Sequence, residues 1–175
     1  LKYEKRFSKN LEIKLSKNKI NKSIKKLDPN VKKAIDYAYL RILKFHSKQI
    51  KELKNISFRD NLNNKLEYRY VPISSIGIYV PGNLPSTLLM NAIPAKLAKV
   101  KKLILATPKI DGNLNSAVLY AARKVGIKEI YSMGGAQAIA RIEYEQKVNK
   151  IVGPGNKFVA EAKRQLSGKL IGTES

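Results

Sequence analysis

The sequence predicts an α/β fold: a doubly wound parallel sheet preceded by a helical N-terminal segment. Residues 71–175 show short, continuous apolar runs that alternate with helical patterns, and turns rich in glycine follow several of the runs. Continuous apolar strands that alternate with helices indicate a parallel sheet that helices cover on both faces. Residues 1–70 are more polar and lack this alternation. We therefore divide the chain into a partial helical segment at 1–70 and an α/β domain at 71–175.

The N-terminal segment contains one clear helix signal. Asp28 is a good N-cap residue, and Pro29 suits the first helical turn. Apolar residues then recur at helical spacing, which predicts a helix of roughly twenty residues that ends near Gln49. A polar stretch follows this helix, and the alternating polarity at 11–15 predicts a short strand.

Apolar runs in the second part of the chain predict the strands of the sheet, and a helical pattern follows each of them. The strands are expected at 75–80, 102–107, 127–132 and 150–152. The helices are expected from a capping residue at Ser86 to about Val100, from Ser116 to a stop at Gly126, from Ala136 to about Tyr144, and from Asn156 to about Leu166. This repeated order of strand, turn and helix predicts that the strands run parallel.

The turns between strands and helices mark a candidate binding edge. They lie at 81–83, 107–113, 134–135 and 153–156. Right-handed crossovers bring such turns to one edge of a sheet, where ligands of open α/β proteins bind near helix N-termini. The dinucleotide fingerprint Gly-x-Gly-x-x-Gly is absent. On spacing alone, nucleotide binding and glycines that merely close tight turns are about equally good interpretations.

Three residues at this edge are candidate ligand contacts. Gln137 and Asn156 stand at the start of their helices, where their amides are placed to bond a ligand. The alternative for such residues is helix capping and local turn bonding. Tyr79, at a strand end, is placed to stack on or bond a cofactor, although most strand tyrosines are packing residues.

The charge and composition exclude several classes of protein. The chain has 35 basic and 13 acidic residues, a formal net charge of +22, and no cysteine. The basic excess is spread along the chain and is carried mainly by lysine, whereas proteins that read bases rely on arginine. A nucleic-acid partner is therefore disfavoured. No apolar run reaches the length of about 20 residues that a membrane helix needs, and the lack of cysteine fits a cytoplasmic protein.

A complete catalytic set is missing from the sequence. His46 is the single histidine, and with no cysteine it cannot form a zinc site of the usual ligands. Lone histidines of this kind are more often packing or capping groups. The acidic residues of the α/β domain are scattered among lysines, as on a solvated surface: Asp111, Glu129, Glu143, Glu145 and Glu161. We therefore assign no catalytic and no metal-binding residue.

Four separated motifs, in this order, resemble the histidinol dehydrogenase family. They are Gly-Ile-Tyr-Val-Pro-Gly at 77–82, Pro-Ser-Thr-Leu-Leu-Met-Asn-Ala-Ile-Pro-Ala at 85–95, Gly-Gly-Ala-Gln-Ala-Ile-Ala at 134–140 and Lys-Ile-Val-Gly-Pro-Gly-Asn at 150–156. The last motif continues to residue 164 as the family does. Upstream, residues 45–49 look like the family's Phe-His-x-x-Gln. The resemblance covers nearly the whole chain.

The resemblance implies a fold, a reaction and cofactors. It implies two similar, incomplete Rossmann-like domains, a cytoplasmic homodimer with intertwined subunits, and two successive NAD-dependent oxidations of L-histidinol, first to the aldehyde and then to L-histidine. It also implies a zinc ion that holds the substrate. The family's NAD contacts fall on Tyr79, Gln137 and Asn156, the residues selected above on weaker grounds. The fingerprint is absent from this family as a rule.

The sequence departs from the family pattern in three places. The loops at 83–84 and 145–146 are shorter than usual, and we expect both to border the cofactor edge. The chain also stops at Ser175, before the family's Ala-Gly-Pro-Ser-Glu. No capping residue precedes the helix expected at 1–7, which indicates a truncated chain. By resemblance, the zinc ligands and the catalytic Glu-His pair lie downstream of Ser175. We expect the chain alone to be inactive; the alternatives are a basic nucleic-acid-binding module and a non-catalytic, vestigial homologue.

Overall fold

The computed structural model describes residues 14–168 and 172–173. The helices are α1 Lys17–Lys25, α2 Pro29–Glu52, α3 Pro85–Leu97, α4 Ser116–Val125, α5 Gly135–Tyr144 and α6 Lys157–Leu166. The strands are β1 Ile56–Arg59, β2 Lys65–Tyr68, β3 Ser75–Tyr79, β4 Lys102–Thr107, β5 Glu129–Ser132, β6 Lys150–Val152 and β7 Gly172–Thr173. The helix expected at 1–7 lies outside the described residues, as does most of the strand expected at 11–15.

A parallel sheet of order β5-β4-β3-β6-β7 forms the centre of the molecule. Each neighbouring pair in this sheet is parallel. The chain runs from β3 outward to β5 and then returns to the other side of β3, so the strand order reverses between β3 and β6. This is the doubly wound arrangement, and the predicted fold class is confirmed.

Helices cover both faces of the sheet because neighbouring side chains along a strand point to opposite faces. Ile78 lies in the hydrophobic cluster formed with α1 to α4, and the next residue, Tyr79, lies in the cluster formed with α5 and α6. Helices α3 and α4 follow β3 and β4, whereas α5 and α6 follow β5 and β6. The two halves of the winding therefore cover opposite faces.

The N-terminal helices pack on the α3 and α4 side. Ile20 and Ile35 belong to the same hydrophobic cluster as that face of the sheet. Asp36 of α2 accepts hydrogen bonds from Tyr120 Oη at 2.8 Å and from Lys124 Nζ at 2.7 Å, both on α4. The Lys124 and Tyr120 hydrogen bonds lower the pKa of Asp36. The division of the chain at residue 70 stays a prediction, because residues on both sides of it share this core.

Most predicted elements agree with the structure to within a few residues, and one capping residue was wrong. Helix α3 begins at Pro85, and its N-cap is Leu84, which makes no side-chain cap. Ser86 lies one residue inside the helix, because proline already has the φ that a first helical turn requires. The strand expected at 11–15 is reduced, within the described residues, to a bridge of Lys14 to Tyr131 in β5.

Two features were not predicted. Helix α1 is a short, lysine-rich helix that buries only Ile20 and Ile24. Strands β1 and β2 form an antiparallel hairpin whose residues are all exposed. Asp60 closes this hairpin by accepting hydrogen bonds from the backbone N–H groups of Leu62 and Asn64, at 2.9 Å and 2.8 Å. Neither feature has the apolar periodicity on which the predictions depended.

Glu143 does not lie on a solvated surface, so that prediction was wrong. Its side chain is 6% exposed on α5, because position 143 follows Ile139 and Ile142 on the helix face that packs against the sheet. Its Oε2 has no hydrogen-bond partner among the residues that the structure describes. Burial raises the pKa of this carboxyl above its ordinary value of 4.5.

Replacement of Glu143 by glutamine is expected to stabilise the protein in a pH-dependent way. Since the folded-state pKa is raised, the unfolded state releases the proton first, and the wild type loses stability as the pH rises through and above 4.5. The gain of Glu143→Gln should be near zero at about pH 4 and about 1 kcal/mol at about pH 7. Urea unfolding at both pH values measures it.

The matched control is the same substitution at exposed Glu161. The hydrogen bond from Arg164 lowers the pKa of Glu161 to about 2, so the charged form of this residue is the favoured one in the fold. Glu161→Gln should give no gain in stability at either pH. A Glu143→Gln variant less stable than the wild type at neutral pH would contradict the prediction that the buried carboxylate of Glu143 destabilises the fold.

Candidate cofactor site at the carboxyl edge of the sheet

The four turns predicted from the sequence meet at the carboxyl ends of the strands. Pro108, which follows β4, connects three of them. A Cβ placed on Gly82 would lie 2.9 Å from the Pro108 carbonyl oxygen, and a Cβ on Gly134 would lie 2.8 Å from the Pro108 Cβ. The turns after β3, β4 and β5 therefore pack against one another without room for larger side chains.

Tyr79 links β3 to the start of α5. Its side chain is 5% exposed, and its phenolic oxygen accepts a hydrogen bond from the backbone N–H of Gly135 at 3.3 Å. Because β4 lies between β3 and β5, the strand that precedes α5, the contact joins parts of the edge that are not neighbours in the sheet. The Tyr79 ring is therefore a packing group, as most strand tyrosines are. Its hydroxyl lies at the edge where the sequence predicts ligand binding.

Gln137 lies in the first turn of α5 and folds back over Gly135. The backbone of Gly135 is left-handed, with φ of 67°. A Cβ at this position would be 2.9 Å from the Gln137 Oε1, so the glutamine occupies the space that a side chain at 135 would need. This places a half-buried amide at the N-terminus of α5, over the residue whose N–H donates to the Tyr79 hydroxyl.

Asn156 is the N-cap of α6. Its Oδ1 accepts hydrogen bonds from the backbone N–H groups of Phe158 and Val159, both at 3.1 Å. The Oδ1 atom of Asn156 is therefore used for helix capping, the alternative to ligand binding that the sequence left open. The residue remains exposed, and its amide Nδ2 is the part of the side chain that capping does not use.

The turn before Asn156 packs directly against the end of β3. Gly153 is left-handed, with φ of 107°, and a Cβ at this position would clash with the carbonyl oxygen of Tyr79. From this point the chain leaves β3 toward α3 on one face and β6 toward α6 on the other. In open α/β sheets, the crevice between two neighbouring strands whose chains diverge to opposite faces is the usual ligand position.

The buried polar residues at this edge, among them Thr107 and Lys163, were missed by the sequence analysis. Thr107, the last residue of β4, is 2% exposed, and its Oγ1 has no hydrogen-bond partner within the described residues. Lys163 of α6 is 6% exposed, and its Nζ donates a hydrogen bond to the Gly153 carbonyl. Lys163 was detectable, since it stands four residues after Val159 and three before Leu166 on the apolar face of its helix.

One of the two shortened loops does not border this edge, so that prediction was wrong. Residues 145–146 connect α5 to β6 and therefore lie at the amino ends of the strands. Lys102, the first residue of β4, donates a hydrogen bond from Nζ to the Gln146 Oε1 at 3.4 Å. A connection from a helix to a strand returns to the opposite edge from the strand-to-helix turns. The loop at 83–84 does lie at the carboxyl edge, directly before α3.

The described residues contain no metal site or membrane helix. Across 14–168 and 172–173, no group of three His, Cys, Asp or Glu side chains is placed to hold a metal ion. His46 lies on α2, with its Nδ1 2.5 Å from the Gln49 Oε1 and its ring edge-on to Phe45. Within the same ranges, no helix has both the length and the apolar character needed to cross a bilayer.

The fold and this edge define an open α/β domain whose turns converge at a topological switch point. Comparison with known proteins identifies the family. A sequence model of histidinol dehydrogenase matches residues 1–174. The chain belongs to the histidinol dehydrogenase family, a family of oxidoreductases.

Individual relatives agree with this assignment. The chain is 57% identical over 177 residues to histidinol dehydrogenase from Pelagibacter ubique, covering 97% of this chain and 41% of that protein. It is 46% identical over 152 residues to histidinol dehydrogenase 1 from Trichormus variabilis, covering 83% and 35%. A crystal structure of histidinol dehydrogenase from Elizabethkingia anophelis superimposes with a TM-score of 0.91 at 35% identity, covering 99% and 42%. The chain spans about two fifths of the length of these relatives.

Loss of the Tyr79 hydroxyl is expected to loosen the start of α5. Tyr79→Phe removes the acceptor for the Gly135 N–H and should lower the free energy of unfolding by about 1 kcal/mol. Tyr144→Phe is the matched control, because Tyr144 is 62% exposed and its replacement should have little effect. Denaturant unfolding of both variants measures the difference, and equal stabilities would mean that the bond does not hold α5.

Proposed function

We propose that this chain is the NAD-side portion of a histidinol dehydrogenase, which oxidises L-histidinol through the aldehyde to L-histidine with NAD as the hydride acceptor. The observation that carries the proposal is the convergence of Tyr79, Gln137 and Asn156 on one edge, in a chain of the histidinol dehydrogenase family. These are the residues onto which the resemblance places the NAD contacts.

The edge fits a dinucleotide in three respects. Glycine turns bring the backbone close to the crevice without side chains in the way, as at Gly153 and Gly82. The N-termini of α5 and α6 point to the same edge, and helix N-termini favour phosphate. The Thr107 hydroxyl, buried without a described partner, is the kind of group that a bound molecule satisfies.

Under this proposal, each residue has a defined task. The Tyr79 hydroxyl holds the first residue of α5 and thereby orients the Gln137 amide. Asn156 caps α6 through Oδ1 and directs Nδ2 to the crevice. NAD, when bound, supplies the hydride acceptor; the protein's part is to orient it and to limit the access of water.

Zinc does not fit the described residues, so no step is derived through it. The donor set is missing there, and we propose that the zinc ligands and the acid–base residues belong to parts of the complete protein outside this chain. L-Histidinol as substrate, assembly as a homodimer and a cytoplasmic location are likewise proposals for the complete protein.

The first test compares cofactor contacts with capping. In the polypeptide encoded by the complete reading frame, Asn156→Ser keeps an oxygen for the cap but removes the amide donor, and Gln137→Ala removes the second amide. We expect each variant to raise the KM for NAD by about tenfold, the effect of one lost polar contact, with zinc content unchanged. Steady-state kinetics at saturating histidinol measure this.

The matched control is Asn115→Ser. Asn115 caps α4 in the same way, with Oδ1 accepting from the N–H groups of Ala117 and Val118, but α4 covers the other face of the sheet. The KM for NAD should stay within about twofold of the wild type, because this substitution removes no proposed contact to NAD. An unchanged KM for NAD in both Asn156→Ser and Gln137→Ala would refute the assignment of these two residues as NAD contacts.

A second test concerns the chain by itself. We assign no acid–base set to the described residues beside the candidate cofactor edge, so the 175-residue chain should form no NADH with L-histidinol and should bind NAD weakly at most. Absorbance at the NADH band and calorimetric titration measure these. Turnover by the chain alone would refute the proposal that the catalytic residues lie elsewhere.

Tight, strongly salt-dependent binding of DNA or RNA by the chain would favour the basic nucleic-acid-binding module instead.

A further inference from the structure

Lys163 is a buried cation at the base of the candidate cofactor edge. It lies on the inward face of α6 with Val159 and Leu166, both apolar. In the described part of the chain, the buried charged residues are Lys163 and Glu143. A lysine at this position therefore calls for an explanation, because burial of a charge is unfavourable unless hydrogen bonds compensate for it.

The side chain of Lys163 connects the middle of α6 to the turn that precedes the helix. Helical side chains lean toward the N-terminus of their helix, so Lys163 extends back along α6. Its Nζ donates a hydrogen bond to the Gly153 carbonyl, in the turn between β6 and α6. The ammonium thus lies at the carboxyl edge of the sheet, beneath the turn that carries Asn156.

This turn is held by packing on both of its sides. Gly153 packs against the Tyr79 carbonyl so closely that no Cβ fits, and Gly155 packs equally closely against Val159. Lys163 holds the carbonyl of Gly153, the first residue after the end of β6 at Val152. The Lys163 side chain is therefore bonded to the peptide from which the turn leaves the sheet.

We propose that Lys163 is a positioning residue for cofactor binding. Its ammonium fixes the turn at 153–156 so that the Asn156 amide and the first N–H groups of α6 face the crevice. A methionine would fill the same space without the unfavourable burial of a charge, but it would leave the Gly153 carbonyl without this donor. The inference rests on the proposed function of the edge as the NAD site.

The experiment compares two lysine replacements on α6 in the polypeptide encoded by the complete reading frame. Lys163→Met should raise the KM for NAD by about tenfold, the scale of one lost charged contact. The kcat at saturating NAD and the KM for histidinol should stay within about twofold, because the turn contacts the cofactor and not the reacting carbon. Lys157→Met removes the same charge from the exposed first turn of α6 and should change the KM for NAD less than twofold.

The outcomes separate the inference from the proposed function. An unchanged KM for NAD in folded Lys163→Met, or an equal rise in Lys157→Met, would overturn the positioning role; the second result would assign the effect to net charge. If Lys163→Met does not fold, Lys163→Arg, which moves the donors but keeps the charge, is measured by the same criteria. A wild-type protein that does not use NAD would refute the proposed function itself.

Discussion

The close approach of β6 to the end of β3 determines how the rest of the edge is arranged. Gly153 contacts the Tyr79 carbonyl at a distance that no other residue tolerates, and its left-handed backbone turns the chain away from the sheet at that point. The backbone of Tyr79 is thereby tied to β6, while its side chain is tied to α5 through the Gly135 N–H. One residue thus connects both halves of the winding, so any shift of β3 would move the starts of α5 and α6 together.

The two buried charged residues in the described part of the chain differ in whether a hydrogen bond compensates for the burial of their charge. Lys163 is compensated by the Gly153 carbonyl and lies at the edge where ligands of such sheets bind. Glu143 has an oxygen without a described partner and lies near the end of α5, close to the amino edge. Burial raises the pKa of Glu143 and thereby stabilises its protonated form. The first residue is therefore a candidate for function, and the second is a source of instability at neutral pH.

Much of the fold was predictable because its strands are apolar and its turns contain glycine. The strands at 102–107 and 150–152 were predicted with their bounds, and the stop of α4 at Gly126 follows from its left-handed backbone. The unpredicted parts are stabilised differently. Helix α1 holds to the core through Ile20 and Ile24, and the β1–β2 hairpin depends on the backbone bonds of Asp60. The sequences of these two segments do not differ from that of a polar loop.

The candidate site was predictable in position but not in its contacts. Parallel topology alone brings the turns after the strands to one edge, so the neighbourhood of Tyr79, Gln137 and Asn156 follows from the order of elements. That Asn156 caps its helix with Oδ1, and that the phenol of Tyr79 accepts from Gly135, depends on side-chain geometry. The loop at 145–146 was misplaced because similarity to a family locates a shortening along the chain, while only the path of the chain tells which edge it reaches.

The chemistry of this edge also limits what it does. Amides, a phenol and backbone N–H groups orient a ligand, but acid–base catalysis at neutral pH requires a group that exchanges a proton in that range. His46, the residue type best suited to this task, is on α2, which packs against the opposite face of the sheet from α5 and α6. Lys163 donates a hydrogen bond to the backbone carbonyl of Gly153, so its side chain holds the turn. Under the proposed function, the described residues therefore bind and orient the cofactor, and the proton transfers of the two oxidations have to come from residues beyond them.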